Sequence, residues 1–208
     1  LFGTLCALNP EPQVQQQQLH AQLPLVKLLA QLLGTVATLE IEALQNAHHI
    51  QVLKTAALTD GLTALANRMG WDQHLARIQA TVSSLGSPVS FLIIDLDELK
   101  QVNDTKGHGE GDKLLKKTAR VLTNAVRNGD LIARIGGDEF AVAAIECREQ
   151  EAQQLATRIE NCLEEADIKA SVGLAWHKPW EHLSDTINAA DKAMYQKKQA
   201  RRHRGRKS

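Results

Sequence analysis

Three short stretches of this chain carry residue types that phosphate and metal chemistry uses. The first is Phe91-Leu92-Ile93-Ile94-Asp95-Leu96-Asp97, an apolar run that closes on two carboxylates two residues apart. Side chains at i and i+2 of a strand share a face, so Asp95 and Asp97 point the same way if the strand continues through them. Oxygen ligands of this kind suit hard divalent cations such as Mg²⁺; the plainer alternative is that acids merely close the strand. The second stretch is Arg134-Ile135-Gly136-Gly137-Asp138-Glu139-Phe140, two glycines followed at once by two acids. The glycines let the backbone turn tightly and approach a phosphate. A hairpin tip bearing acids beside a strand end bearing acids is the layout of a metal-dependent nucleotidyl-transfer site. The alternative is a solvated turn whose glycines serve only the backbone. The third stretch runs from Asn103 to Asp112 as a Gly-rich polar loop entering a helix. Asn103 and Asp112 offer an amide and a carboxylate, a match for the donor and acceptor edge of guanine. Asp112 also reads as a first-turn acid favoured by the helix dipole.

Composition narrows the field. The 24 Lys and Arg balance the 24 Asp and Glu, so net charge does not point to a polyanionic partner. A basic cluster, Lys197, Lys198, Arg201, Arg202, Arg204, Arg206 and Lys207, closes the chain. It reads either as a phosphate binder or as a solvated, frayed tail. Aromatic residues make up only 3%, too few for a stacking platform for single-stranded nucleic acid, so no nucleic-acid partner is expected. Cys6, Cys147 and Cys162 are odd in number and lack metal-ligand spacing, which suits a reduced, cytoplasmic protein. No uninterrupted apolar run is long enough to span a bilayer, so no membrane partner is expected.

These groups need elements to hold them. From Leu25 to Ala57 an apolar stripe (Leu25, Leu28, Leu32, Val36, Leu39, Ala43, Asn46, Ile50, Leu53, Ala57) recurs near heptad spacing, with an extra step of stutter type near Leu32. It reads as an intermolecular coiled coil, or as one amphipathic helix packed on its own domain. Gln15 to Gln18 is linker or the solvated start of that helix. Beyond Asp60 the pattern turns mixed. Helices are expected over 68–84, 98–103, 111–126, 149–166 and 185–200, and strands over 88–94, 131–135, 140–145 and 169–175. The pair around Gly136-Gly137 reads as a hairpin. The order βααββαβ implies an α/β sandwich on a mixed, largely antiparallel sheet, not a doubly wound parallel one. Leu1 to Pro12 reads as a strand followed by a turn at Asn9–Pro12, as though the chain began inside a domain.

Taken together, the motifs resemble the GGDEF family of diguanylate cyclases over roughly Leu58 to His203. Gly136-Gly137-Asp138-Glu139-Phe140 is the name-giving motif. Asp60-Gly61-Leu62-Thr63-Ala64-Leu65-Ala66-Asn67-Arg68 is similar to the family's opening motif, with Ala64 where glycine is usual. Asp95 to Asp104 is similar to its metal and guanine segment, with Leu99 for a common phenylalanine; Gly107-His108 and Gly111-Asp112 follow. Ala190 to Lys198 is similar to its closing helix, where Lys197 replaces a frequent alanine, Arg201 a frequent glycine and His203 a frequent asparagine.

The resemblance implies the fold shared by nucleotidyl cyclases and polymerase palms, and an activity: two GTP condense to cyclic di-GMP with release of two pyrophosphates. It implies two Mg²⁺ or Mn²⁺ ions per site, held by Asp95, Asp138 and the Leu96 carbonyl, with Glu139 supporting the same site. Asn103 and Asp112 would read guanine, with His108 near the substrate. Lys198 and Arg202 would hold the triphosphate with backbone amides around Glu98 and Leu99, and Gly136 and Gly137 would let phosphate approach. Arg127-Asn128-Gly129-Asp130 resembles the family's product-inhibition site, with Arg158 as a secondary member. Activity would require a homodimer, because one domain holds half of the reactants. Phe2 to Leu8 resembles the last core strand of a GAF sensor domain. The implied organisation is a GAF-like remnant over 1–13, a helical linker over 14–57, the cyclase domain over 58–203 and a basic tail over 204–208. The alternatives are a catalytically inactive GGDEF domain that binds GTP or cyclic di-GMP, and an interaction module built on the helix.

Overall fold

The computed structural model describes residues 11–178 and 180–205, with side chains for 23–84, 86–178 and 180–203. The expected strand and the first half of the expected Asn9–Pro12 turn lie outside the described residues. The chain forms two units, Leu1–Leu53 and Lys54–Ser208.

The first unit is helical. Helix α1 spans Glu11–Leu58 and absorbs both Glu11 and Pro12, which the sequence reading placed in a turn, and the glutamine run. Proline suits the first turn of a helix because its missing N–H has no partner there. Every described side chain from Leu23 to Ala57 is exposed. The apolar surface is wider than the heptad stripe: Leu29, Leu33, Ile41 and Leu44 are exposed as well. By length and composition, Leu23–Leu58 is apolar enough to cross a membrane, with a mean hydropathy of 1.4. Its uninterrupted apolar runs are shorter, because polar residues such as Lys27 and Gln31 break them up.

The second unit is a four-stranded sheet between helices. In chain order it comprises α2 (Arg68–Leu85), β1 (Val89–Leu96), α3 (Leu99–Lys106), α4 (His108–Ala125), β2 (Leu131–Arg134), β3 (Glu139–Ile145), α5 (Glu149–Glu165), β4 (Ala170–Trp176) and α6 (Leu183–Gly205). The strand order is β2-β3-β1-β4 with every neighbour antiparallel. A single parallel bridge, Ala66 to Ala133, touches its β2 edge. β1 is central and buried throughout. Its alternation sorts the core: Leu92, Ile94 and Leu96 pack with α4 and α5, while Val89, Phe91 and Ile93 pack with α2 and α6. β4 lies tight against α6, where a Cβ on Gly173 would stand 2.1 Å from the Ala190 carbonyl.

Two local expectations need correction. The Gly-rich loop between Asn103 and Asp112 is not a loop. Gly107 alone, at φ +85°, separates α3 from α4, and Gly109 and Gly111 are helical. The sequence signal failed because Gly111 is there for space: a Cβ on it would lie 1.9 Å from Asn103 Oδ1. Nor does the basic end behave as a solvated tail over its first part. α6 carries it to Gly205, and Lys197, Lys198 and Arg201 pair with Glu160, Asp95 and Asp97. The last three residues lie outside the described ones.

Candidate active site

The strand parity of β1 gives the site its first carboxylate. Asp95 shares its face with Phe91 and Ile93, the side covered by α6, and it stands directly opposite Glu139 on β3. Two acids side by side on one face of a sheet repel, and Asp95 is nearly buried. The chain supplies a cation from α6: Lys198 Nζ donates to Asp95 Oδ1, with side chains only 14% and 7% exposed. Burial is the largest influence on Asp95 and pushes its carboxyl above the ordinary value; Lys198 works against this, and Asp138 and Asp97 add to it. Glu139 is raised too, by burial first and then by Asp95, Asp138 and Asp191. Asp138 sits in the β2–β3 turn, where its carbonyl accepts the Leu96 N–H at 3.0 Å. That bond brings the hairpin tip to the end of β1.

Neither hairpin glycine has a positive φ, so a left-handed turn is not their reason. A Cβ on Gly136 would lie 2.6 Å from Glu139 Oε2, whereas one on Gly137 would meet nothing of this chain within 4 Å. Gly137 therefore keeps open a surface that the fold does not need. Gly137, Asp138, Leu99, Asn103 and His108 line one cavity of about 320 Å³. Asn103 Oδ1 is buried against Gly111 without a hydrogen-bond partner. Buried polar atoms are normally satisfied, so this orphan suits a ligand. Asp112 is not in that lining; it is exposed one turn into α4, beside the Gly111 that abuts Asn103.

Asp97 does not follow Asp95. β1 ends at Leu96, and the Asp97 carboxylate turns to the Ser171 hydroxyl (3.0 Å) and Arg201 (3.2 Å). Asp97, Glu98, Lys198, Arg201 and Arg202 line a second, larger cavity. Glu98 there is paired with Lys169 at 2.7 Å. Arg127, Asp130 and Arg158 share a third, at the other end of β2 from the Gly136-Gly137 turn. Asp130 Oδ2 accepts the Arg127 N–H at 3.1 Å, and Arg158 Nε donates to the Ala125 carbonyl at 2.7 Å. This cavity holds about 40 Å³, far less than a dinucleotide, so a ligand would meet these side chains at its rim.

Sequence reasoning gave no role to one pair that positions the hairpin. Arg134 Nη1 donates to both Asp60 oxygens at 3.3 Å, and its Nη2 donates to the Gly137 carbonyl at 2.7 Å. Asp60 also accepts from the Thr63 N–H and hydroxyl at 2.9 and 2.6 Å. Burial works to raise the Asp60 carboxyl, but Thr63 and then Arg134 outweigh it and hold it below the usual carboxylate range. The partners are 74 residues apart, so no local pattern joins them. Their signal was only that each falls inside a recognised motif.

Residues 57–204 match the family model described as diguanylate cyclase, GGDEF domain. The chain belongs to the GGDEF family. Diguanylate cyclase DosC of Escherichia coli K12 is 35% identical over 192 residues, 86% of this chain and 41% of that protein. Diguanylate cyclase DgcP of the same organism is 32% identical over 208 residues, 95% of this chain and 60% of the relative. The chain thus spans under two thirds of these curated relatives. Among solved structures, the coiled coil and GGDEF domain of DgcB from Caulobacter crescentus, in complex with c-di-GMP, superposes with a TM-score of 0.73 at 29% identity. That match covers 81% of this chain and 95% of that one.

GGDEF domains are generally metal dependent, and the donor set fits Mg²⁺ or Mn²⁺. Among the described residues, no three His, Cys, Asp or Glu side chains form a closed metal cage. Mg²⁺ does not require one. It keeps waters and is held by one or two carboxylates together with substrate phosphates. Asp95 and Glu139, each raised by burial first and by neighbouring acids after it, and balanced by one lysine, are such a partial set.

Proposed function

We propose that this GGDEF domain condenses two GTP into cyclic di-GMP and releases two pyrophosphates. The observation that carries the reading is the intact Gly136–Phe140 hairpin, pinned to the end of β1 by the Leu96–Asp138 hydrogen bond beside a cavity with an orphaned amide oxygen.

In this reading Asn103 and Asp112 hold the guanine edge, with His108 at the cavity's rim. Gly136 and Gly137 leave room for phosphate, which also meets the amides at Glu98 and Leu99. Lys198 and Arg202 hold the triphosphate; Lys198 already faces the site, paired with Asp95. Asp95, Asp138 and the Leu96 carbonyl would hold two Mg²⁺ or Mn²⁺, which when bound neutralise charge on the α-phosphate. Glu139, whose affinity for a proton is raised by burial and then by neighbouring acids, supports the same site.

Two half-sites must face each other, so the active species is a homodimer. The exposed apolar surface of α1 is the means of dimerisation, as a coiled coil that raises the second domain's local concentration to about millimolar. Arg127 and Asp130, with Arg158 beside them, form the site of inhibition by product. The compartment is the cytoplasm, in keeping with the free thiols Cys147 and Cys162.

The test is nucleotide preference. A site that hydrogen-bonds guanine leaves its groups unpaired against adenine, a penalty of roughly 10⁴-fold. Turnover with Mg²⁺ and GTP should exceed that with ATP by about this factor. Comparable rates would remove the guanine-reading roles of Asn103 and Asp112.

A further inference from the structure

Helix α6 carries two bases three residues apart, Lys198 and Arg201, and each meets one of the two acids that close β1. Lys198 on Asp95 belongs to the site already described. Arg201 does not: it stands where the family resemblance expects glycine, and nothing in the proposed chemistry uses it.

Its contacts are specific. One terminal nitrogen of the guanidinium donates to Asp97 Oδ2 at 3.2 Å and also to the Ala170 carbonyl. Asp97 is held on two further sides. Its carboxylate accepts from the hydroxyl of fully buried Ser171, and its N–H donates to the Lys169 carbonyl at 2.9 Å. Arg201 therefore straps the turn after β1 to the start of β4. That turn leads straight into α3, whose first residue is Leu99. Glu98, its N-cap, makes no capping hydrogen bond and is engaged by Lys169 instead. Among the described residues the N-cap side chain leaves the first amides of α3 uncapped, and their placement depends on how Asp97 is fixed. Asp97, Glu98, Lys198, Arg201 and Arg202 line the same cavity.

We propose that Arg201 is a positioning residue for the substrate triphosphate, acting through Asp97 to fix the Leu96–Leu99 turn whose amides receive phosphate. The proposal rests on the reading of this site as a GTP site. A guanidinium suits the task because one planar terminal NH2 group directs its two hydrogens at a carboxylate and a carbonyl, whereas an ammonium is a point charge on a flexible stem. Glycine at this position leaves Asp97 to Ser171 and the backbone. The Arg201 side chain is 51% exposed, so its removal does not open the core.

The experiment is calorimetric titration of the full chain with a non-hydrolysable GTP analogue and, separately, with GMP, both in Mg²⁺. The proteins are wild type, Arg201→Gly, Arg201→Lys, Asp97→Asn and the Arg201→Gly/Asp97→Asn double variant. Arg201→Gly should weaken the triphosphate analogue about tenfold, the scale of one hydrogen bond to a charged group. GMP, which lacks the outer phosphates, should change less than twofold, and this also reports an intact fold. Arg201→Lys should recover part of the loss. Asp97→Asn should resemble Arg201→Gly, and the double variant should be no worse than either, because the two residues act as one unit. Wild-type affinity in Arg201→Gly, an equal loss for GMP, or additive losses in the double variant would each overturn the proposal. If wild type binds neither nucleotide, the cyclase reading itself falls, and this proposal with it.

Discussion

Replacing Arg134 by alanine should loosen the catalytic hairpin without touching any group that meets substrate. Arg134 is 15% exposed and Asp60 22%. The guanidinium makes two contacts with the carboxylate and two with the Gly137 carbonyl. A net hydrogen bond to a charged group contributes about 1.5–3 kcal/mol. After truncation Asp60 keeps Thr63 and gains water at its exposed edge, so the lower end applies, about 2 kcal/mol. For a chain of this size that lowers Tm by roughly 4–8 °C. The Asp60 carboxyl is held below its unfolded value, so its contribution is present above the unfolded pKa and is lost as pH falls through the folded one. The gap between wild type and variant should thus be full at pH 7 and shrink below about pH 4. Turnover should fall by about tenfold or more, since small misplacements of a reacting group cost that much. Arg134→Lys should not rescue, because an ammonium cannot span Asp60 and the Gly137 carbonyl. Urea denaturation at pH 7 and pH 3.5, with GTP turnover at pH 7, supplies the measurements. A variant as stable and as active as wild type would refute the view that this pair sets the hairpin.

Two further outcomes follow from the geometry. Gly111→Ala puts a Cβ 1.9 Å from Asn103 Oδ1 and must displace that amide. KM for GTP should rise several-fold, while Gly109→Ala, which meets nothing within 4 Å, should leave it unchanged in the same steady-state assay. Lys198→Met leaves the nearly buried Asp95 without its cation. In EDTA the variant should melt several degrees below wild type by scanning calorimetry, since breaking a buried pair exposes an uncompensated charge. Millimolar Mg²⁺ should then raise its Tm more than that of wild type, because the ion replaces the missing charge.

The sequence showed the strands well, for a physical reason. β1 is buried on both faces, so Phe91 to Ile94 forms an unbroken apolar run that needs no periodicity to be seen. The hairpin is legible from Gly136 and Gly137; neither has a positive φ, and what they supply is space. The Asn103–Asp112 stretch misled because a glycine selected for close approach looks, in one dimension, like a glycine selected for a turn. Gly107 and Gly111 cannot be told apart until Asn103 is seen against the latter. Asp97 was read with Asp95 from their spacing, yet a strand that stops one residue early sends the two carboxylates to different partners. The ion pairs Lys198–Asp95, Arg201–Asp97 and Arg134–Asp60 join residues 74 to 104 apart, so composition at the chain's end leaves a phosphate binder and a solvated tail both open. The width of the apolar surface on α1 escaped a search for heptads because Leu29, Leu33, Ile41 and Leu44 fall off the seam.

The most direct test of the cyclase reading is to incubate the chain with GTP and Mg²⁺, separate the products by chromatography and count the released pyrophosphate, for wild type and Asp138→Ala in parallel. The account predicts cyclic di-GMP with two pyrophosphates per product molecule for wild type, and loss of both in the variant, because removing that carboxylate takes charge stabilisation from the transition state. Wild-type protein that binds GTP but releases no pyrophosphate, or an Asp138→Ala variant that turns over at the wild-type rate, would contradict it.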